Sequence, residues 1–235
     1  MKAAIIAAGL GERLRAAGIT QPKPLVPVAG RPLIDHVLAA IVAADLSEVA
    51  CIVNEESCGI EEHCRRSWPG LRFEFVRRTT PSSMESLFAL SGLLGQGRFV
   101  LLTVDSVFAP PALRALLGAA AARHDAQAVL AVNSFVDDEK PLWVALGSSG
   151  EIRMIGPQAR QSGLVTAGFY VFDALIFREI PAARAQHFAA LREFLGHLLT
   201  SGYRLYGHIV PKTVDVDRPE DIAVAEAFIR SGFTA

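Results

Sequence analysis

The sequence predicts an α/β fold: a three-layer sandwich in which helices cover both faces of a mostly parallel, mixed sheet. Five short apolar runs, typical of strands that are covered on both sides, recur through the first 133 residues. Stretches of helical character separate these runs. The 235 residues can bury one substantial core, and no linker, repeat or low-complexity tract interrupts them. We therefore expect a single domain.

The strands and helices of the first part alternate. Strands are predicted at 2–7, 48–53, 71–76, 98–104 and 127–133. Helices are predicted between them, at 32–44, 58–67, 84–94 and 110–123. Prolines suit two of the expected helix starts, Pro32 at the first helix and Pro110-Pro111 at the fourth. This βαβα order indicates a parallel sheet, because a helix returns the chain for each new strand.

The pattern changes after about residue 134. Residues 141–156 are typical of a β-hairpin that turns at Gly147-Ser148-Ser149-Gly150. Further elements are predicted as a strand from Leu164 to Phe172, a helix at 187–200 and a strand from Tyr203 to Val210. The chain ends in a helix with Pro219 in its first turn.

Composition excludes several classes of protein. Hydrophobic residues make up 51% of the chain, and the formal net charge of −1 with scattered Arg and Lys argues against a nucleic-acid partner. No apolar run approaches the roughly 20 residues that cross a bilayer, and the start MKAAIIAAG is too short for a signal peptide. We expect a cytoplasmic monomer or homodimer with no membrane partner. The three cysteines fit no common zinc spacing and are expected as reduced thiols.

The segment after the first strand is the most informative. Gly9 and Gly11 let the backbone turn tightly and direct amide N–H groups toward a bulky ligand. Arg13 and Lys23 add positive charge beside those donors. The combination favours a polyphosphate site over an ordinary strand–helix turn with solvated charges. A Rossmann fingerprint is excluded because Leu14 stands at its third small position, and the Gly-Lys-Ser/Thr of a P-loop is missing.

This segment resembles the signature of nucleotidylyltransferases that join a nucleoside triphosphate (NTP) to a phosphorylated small molecule. The resemblance rests on Ala7-Ala8-Gly9, Gly11, Arg13, Lys23-Pro24-Leu25 and Gly30-Arg31-Pro32-Leu33-Ile34. It is close over residues 2–44 and most like the small sugar-1-phosphate members, such as the N-acetylmuramate-1-phosphate uridylyltransferases. It implies the Rossmann-like fold of the nucleotide-diphospho-sugar transferases. Within the single domain, 1–133 would bind nucleotide, 134–217 would bind the acceptor and include a hairpin or lid, and 218–235 would form the C-terminal helix.

The resemblance also implies roles for individual residues. Arg13 and Lys23 are expected to be catalytic, because they would stabilise the triphosphate and the leaving pyrophosphate. Contacts to the nucleotide are expected from Ala7, Ala8, Gly9, Gly11, Ser82, Ser83 and Ser86.

Three aspartates are candidate ligands for the Mg²⁺ that the resemblance implies as cofactor. Asp105 ends the strand FVLLTV, at the carboxyl edge where open α/β sheets bind ligands. Capping of the next turn is its alternative role. The partner carboxylate is expected from Asp215 or Asp217, which point to the same side of an extended chain. We prefer Asp215; the N-cap of the last helix is an alternative role for Asp217.

The segment Thr79–Leu87 stands where the family carries Gly-Thr-Ala before a helix. Ser82 replaces the glycine, so the nucleobase stays open, and the Ser-Leu variant resembles cytidylyltransferases that act on phosphorylated alcohols such as phosphocholine. A serine N-cap with Glu85 in the first helical turn is compatible with this role.

Two residues are candidates for acceptor binding. Lys140 precedes the hairpin, whereas the Glu-Lys-Pro of the family follows it, so Lys140 could either reach a phosphate or be a solvated loop residue. Gly168, in TAGFY, resembles the family's substrate-side glycine, which lets a sugar or alcohol approach the backbone. Relief of crowding within a strand is its alternative role.

The implied activity is the Mg²⁺-dependent transfer of a nucleoside monophosphate from an NTP to a sugar 1-phosphate or a similar phosphorylated small molecule. Pyrophosphate is released and an NDP-sugar is formed. Cytidylyl transfer to a phosphorylated alcohol is the first alternative. A non-catalytic nucleotide-sensing domain is the second. A GT-A glycosyltransferase is the third, because Asp215-Val216-Asp217 is a D-x-D sequence.

Overall fold

The fold is described by a computed structural model for residues 1–136 and 141–234. In chain order its strands are β1 (Lys2–Ala7), β2 (Pro27–Val28), β3 (Arg31–Pro32), β4 (Glu48–Val53), β5 (Arg72–Arg77), β6 (Arg98–Thr103), β7 (Ser106–Phe108), β8 (Ala128–Asn133), β9 (Val144–Leu146), β10 (Ile152–Ile155), β11 (Val165–Asp173), β12 (Leu205–Ile209) and β13 (Thr213–Asp215). Its helices are α1 (Glu12–Ala16), α2 (Leu33–Ala43), α3 (Ile60–Ser67), α4 (Ser83–Leu94), α5 (Pro110–Ala121), α6 (Ile180–Ala185), α7 (Leu191–Thr200) and α8 (Pro219–Arg230).

Seven of these strands form the main sheet, in the order β12-β8-β11-β6-β1-β4-β5. Strand β11 runs antiparallel to both of its neighbours, and the remaining pairs are parallel. The sheet is therefore mixed and mostly parallel, as predicted. Because the carboxyl ends of β1 and β6 meet at one edge, the loops that follow them lie side by side.

Helices cover both faces of this sheet. Along β1 the side chains alternate between two separate cores: Ile5 belongs to the core under α2, α3 and α5, and Ile6 to the core under α4 and α7. A third cluster packs α8 against the loop after β1 and the β7–β13 pair. These layers confirm the predicted three-layer architecture.

The predicted elements agree closely with the observed ones in the first part of the chain, where five strands and four helices lie within two residues of their predicted bounds. The hairpin is formed by β9 and β10. The predicted helix at 187–200 begins later, at Leu191. The cause is local: His187 has a positive φ of 56°, and the carboxylate of Glu193 accepts hydrogen bonds from the backbone N–H groups of Ala189 and Ala190.

Several short elements were not predicted: β2, β3, β7, β13, α1 and α6. The β7–β13 pair matters most for the site because it brings Asp215 opposite Ser106. Each of these strands has two or three residues, which is too short for a periodic pattern. Within the part of the chain that the structure describes, no helix has the length and apolar character needed to span a membrane.

Candidate active site

Two clefts open at the carboxyl edge of the sheet. The first cleft, of about 470 Å³, lies over the loop after β1, the start of α4 and the end of β6. The second cleft, of about 370 Å³, lies between β11, the start of α7 and β13. Both clefts are lined by four shared residues: Ser83, Thr103, Asp105 and Asp217. The two clefts therefore meet at a pair of carboxylates.

The loop after β1 forms one wall of the first cleft, and Gly9, Gly11 and Arg13 all line it. Gly11 has a φ of +63°, and a Cβ there would lie 3.1 Å from the Cβ of Lys23, so both conformation and packing favour glycine. A Cβ on Gly9 would meet no atom within 4 Å. Packing inside the protein therefore does not require a glycine at this second position.

Lys23 connects the two carboxylates where the clefts meet. Its side chain is only 7% exposed, and its Nζ donates hydrogen bonds to Oδ2 of Asp105 at 2.7 Å and to Oδ1 of Asp217 at 2.6 Å. Arg13 contacts the other oxygen of Asp217, with Nη1 3.5 Å from Oδ2. The sequence-predicted residues Arg13, Lys23, Asp105 and Asp217 thus form one contiguous group of two cations and two anions.

Lys23 and Asp105 each stabilise the charged form of the other. Burial acts to lower the pKa of Lys23, but the carboxylates of Asp105 and Asp217 outweigh it and hold that pKa well above its ordinary value. Burial likewise acts to raise the pKa of Asp105, and the Lys23 ammonium outweighs it, so that this pKa lies below its ordinary value. Lys23 and Asp105 are therefore both charged at neutral pH.

Asp215 has a different environment from Asp217. It lies on β13, lines the second cleft and accepts a 2.5 Å hydrogen bond from the hydroxyl of Ser106. The hydroxyl oxygen of Ser106 also lies 3.1 Å from the hydroxyl oxygen of Thr103. The predicted alternative for Asp217, a cap on the last helix, is not the arrangement observed: Arg218 is the N-cap residue, and the carboxylate of Asp221 accepts from the backbone N–H groups there.

Gly168 leaves room for Ser106. It has a φ of +81°, lies at an irregularity in the β11–β8 pairing and lines the second cleft. A Cβ at this position would lie 2.0 Å from the Oγ of Ser106. This distance supports the alternative role given above, relief of crowding. Beside it, burial raises the pKa of Tyr170 to about 12, with the charges of Asp215 and Asp105 acting in the same direction.

The predicted serines lie at the start of α4. Ser82 is the N-cap and accepts from the backbone N–H of Glu85, while Glu85 itself pairs with Arg184. Ser82, Ser83 and Ser86 all line the first cleft. Ser86 is buried and shares a 2.6 Å hydrogen bond with the hydroxyl of Thr80, which sequence reasoning did not select.

Other predicted residues have different positions. Ala8 lines the first cleft, whereas the side chain of Ala7 is fully buried in the core on the opposite face. Lys140 lies outside the described residues. Sequence reasoning also missed Ser106 and Arg192, which line the second cleft. The position of Ser106, directly after Asp105, was a signal that could have identified it, whereas nothing in the local sequence marks Arg192.

The donor set at the junction of the clefts suits a hard cation. Within residues 1–136 and 141–234, no three His, Cys, Asp or Glu side chains gather as a complete metal site. Mg²⁺ needs fewer protein ligands, since it usually retains waters and takes its other oxygens from substrate phosphates. Two carboxylates that contact one ammonium, beside the open glycine loop after β1, therefore fit such an ion.

Residues 3–207 match the MobA-like NTP transferase domain, and the chain belongs to that family. The CMP-5'-(3-aminopropyl)phosphonate synthase of Streptomyces rubellomurinus is 30% identical over 219 residues, which cover 88% of this chain and 32% of that protein. The N-acetylmuramate alpha-1-phosphate uridylyltransferase of Caulobacter vibrioides is 35% identical over 127 residues, 51% of this chain and 52% of that protein. The matched residues cover between 32% and 66% of the length of the curated relatives.

Solved structures support the fold. The inositol-1-phosphate CTP transferase from T. maritima has a TM-score of 0.84 at 20% identity, and the match covers 100% of this chain and 98% of that one. The UTP-bound UGPase from Acinetobacter baumannii has a TM-score of 0.80 at 18% identity over 97% of this chain and 92% of that one. The predicted family and the nucleotidyltransferase type of fold are thereby confirmed.

Proposed function

We propose that this chain transfers a nucleoside monophosphate from an NTP to the phosphate or phosphonate oxygen of a small acceptor and releases pyrophosphate. The observation that carries the proposal is the convergence of Lys23, Arg13, Asp105 and Asp217 where the two clefts meet. One cleft would hold the nucleotide and the other the acceptor. Transfer between the two substrates requires such a junction, whereas a glycosyltransferase would give Arg13 and Lys23 no triphosphate to bind.

The triphosphate would lie along the loop from Gly9 to Arg13. The open space at Gly9 supports this placement, because a phosphate could approach the backbone there. An acceptor oxygen would form a bond to the α-phosphorus as the bond from that phosphorus to the β-phosphate oxygen breaks. The leaving pyrophosphate keeps the electron pair, and Arg13 and Lys23 would stabilise its growing charge.

Asp105 and Asp217 are the residues that would hold Mg²⁺. When bound, such an ion neutralises phosphate oxygens and favours attack by an anionic acceptor. The contact that each carboxylate makes with Lys23 supports this pair. We therefore propose Asp217, and not the initially preferred Asp215, as the partner of Asp105. Asp215 and Ser106 would instead contact the acceptor in the second cleft.

Two acceptor classes are proposed, each supported by a relative. The Streptomyces relative is named for a CMP-phosphonate product and matches most of this chain, which supports CTP with a phosphonate or an alcohol phosphate. The serine-rich start of α4 is compatible with CTP as the nucleotide, since the hydroxyls of Ser82 and Ser86 could bind a pyrimidine edge or a ribose. The Caulobacter relative supports UTP with a sugar 1-phosphate.

The experiment that tests this function is pyrophosphate release in the presence of Mg²⁺. CTP, UTP, GTP, ATP and dTTP are crossed with sugar 1-phosphates, phosphocholine and aminoalkylphosphonates. We expect a signal that needs both substrates and is lost in Asp105→Asn. Asp45→Asn is the matched control, because Asp45 is 84% exposed and lies outside both clefts. Nucleotide binding without any pyrophosphate release would contradict the proposal and favour a sensing domain.

A further inference from the structure

We propose that the ammonium of Lys23 and a divalent metal ion compete for the carboxylates of Asp105 and Asp217. The metal ion then binds only together with a nucleotide, because the ammonium leaves the carboxylates and forms an ion pair with the phosphates of that nucleotide. The inference rests on the proposed function and adds a second role for Lys23: it holds the place of the metal ion until the nucleotide arrives.

The geometry places the ammonium where a bridging cation would lie. Nζ of Lys23 is 2.7 Å from Asp105 and 2.6 Å from Asp217, and a hydrogen-bonded ammonium makes contacts of this length. A magnesium ion must come even closer to its ligands, at about 2.0–2.1 Å. Ion and ammonium therefore cannot both lie between these two carboxylates.

One of the remaining carboxylate oxygens also has a protein partner. Oδ2 of Asp217 contacts Nη1 of Arg13 at 3.5 Å. A metal bound to that oxygen would have to displace this contact and also compete with Lys23. Simultaneous binding of Lys23 and the metal to Asp217 is thus disfavoured.

Charge balance leads to the same conclusion. The negative charges of Asp105 and Asp217 are matched by the positive charges of Lys23 and Arg13. A divalent ion that arrives alone would add positive charge to a neutral group, at a partly buried position where charge is costly. A nucleotide brings several negative charges, so ion and nucleotide together are compatible with all four side chains.

The exchange needs only a side-chain movement. Lys23 lies in a short 3₁₀ turn, Lys23–Leu25, between Pro22 and Pro24, and its stem packs against Gly11. Its backbone is therefore held, but the side chain borders the first cleft together with Gly9 and Arg13. Rotation about the side-chain bonds would move the ammonium from the carboxylates to a phosphate bound at that loop.

The test is a titration of the protein with Mn²⁺ in the absence of nucleotide. Binding is measured as the loss of the electron paramagnetic resonance signal of free Mn²⁺. Wild-type protein without nucleotide is expected to bind the ion weakly. Lys23→Met is expected to bind it about tenfold more tightly or better, a coupling of ordinary size between two sites. The double variant Lys23→Met, Asp105→Asn should lose the gain. Lys2→Met is the control, because Lys2 pairs with Glu74 away from both clefts.

Equal Mn²⁺ affinity of the wild type and Lys23→Met would overturn the inference. Tight binding of Mn²⁺ by the wild-type protein in the absence of nucleotide would overturn it as well. If Lys23→Met does not fold, Lys23→Gln is the second variant. Its side chain is neutral but can still donate hydrogen bonds to the carboxylates, and it should show part of the gain in Mn²⁺ affinity. The experiment involves no turnover. A gain of Mn²⁺ binding without pyrophosphate release in the substrate panel would therefore reject the proposed function and retain the cation exchange.

Discussion

Lys23 and Asp217 are separated by 194 positions in the sequence, and their side chains form an ion pair of 2.6 Å. The pair joins the loop after β1 to the segment that leads into α8. Since α8 packs on the cluster that contains Leu14 and Val28, docking of this helix places Asp217 beside the first cleft. The candidate site is thus completed by the end of the chain.

Neutralising the proposed metal ligands should reduce catalysis far more than binding of the nucleotide. Asp105→Asn and Asp217→Asn are each expected to lower kcat by about 10²–10³, as at other sites that stabilise developing charge. Asp215→Asn should leave kcat within about tenfold of the wild type and act mainly on the KM for the acceptor. Steady-state pyrophosphate release with each variant measures these effects. A large loss of kcat in Asp215→Asn with a small one in Asp217→Asn would reverse our assignment.

The free energy of unfolding should decrease at acid pH, because Asp105 becomes protonated there. Burial acts to raise its pKa, but Lys23 lowers it below the ordinary value of about 4, so the folded protein binds this proton less readily than the unfolded chain does. The stabilisation is present above the unfolded pKa and is lost as the pH falls through the folded one. Urea unfolding of the wild type between about pH 7 and pH 3 should show this loss. Asp105→Asn should have a shallower dependence, and an identical slope would contradict the role of the ion pair.

Gly168→Ala should destabilise the fold by about 1–3 kcal/mol, because the residue has a positive φ and its Cβ would clash with Ser106. Gly92→Ala provides a matched control in the interior of α4, where a Cβ would meet no atom within 4 Å. That change should stabilise the protein by about 0.5–1 kcal/mol through helix propensity. Thermal or urea unfolding compares the two. Equal effects would show that the contact with Ser106 does not constrain residue 168.

Thiol reactivity should distinguish the three cysteines. Cys58 is exposed, whereas Cys51 and Cys64 are buried. Burial raises the pKa of Cys64 to about 12 and raises that of Cys51 well above its ordinary value, so neither forms the reactive thiolate readily. Titration with an aromatic disulfide reagent should modify one thiol in the native protein and all three in denaturant. Rapid reaction of a second native thiol would contradict the packing of α3 on the sheet.

The sheet could be predicted from the sequence because its strands are buried on both faces. Runs such as the apolar residues of β1 and β6 are long enough to identify, and the helices between them fix the parallel order. The short strands β7 and β13 carry no such signal. Their pairing is a long-range event that only the folded chain shows.

The candidate site was predictable in its residue types more than in its pairings. The charges of Arg13, Lys23 and Asp105 could be selected from local motifs and from a strand end. The choice between Asp215 and Asp217 depends on how β13 docks beside β7, which places Asp215 opposite Ser106 and directs the chain beyond it toward Lys23. Side-chain alternation along one strand could not distinguish the two aspartates.

The most direct test of the central claim is phosphorus NMR of one reaction mixture that contains protein, Mg²⁺, NTP and the acceptor selected by the substrate panel. Our account predicts that pyrophosphate appears in equal amounts with a new product, in which the nucleoside monophosphate is joined to the phosphate or phosphonate oxygen of the acceptor. Both should form only when the acceptor is present and not with Asp105→Asn. Release of nucleoside monophosphate without acceptor, or no change in any phosphorus resonance, would contradict it.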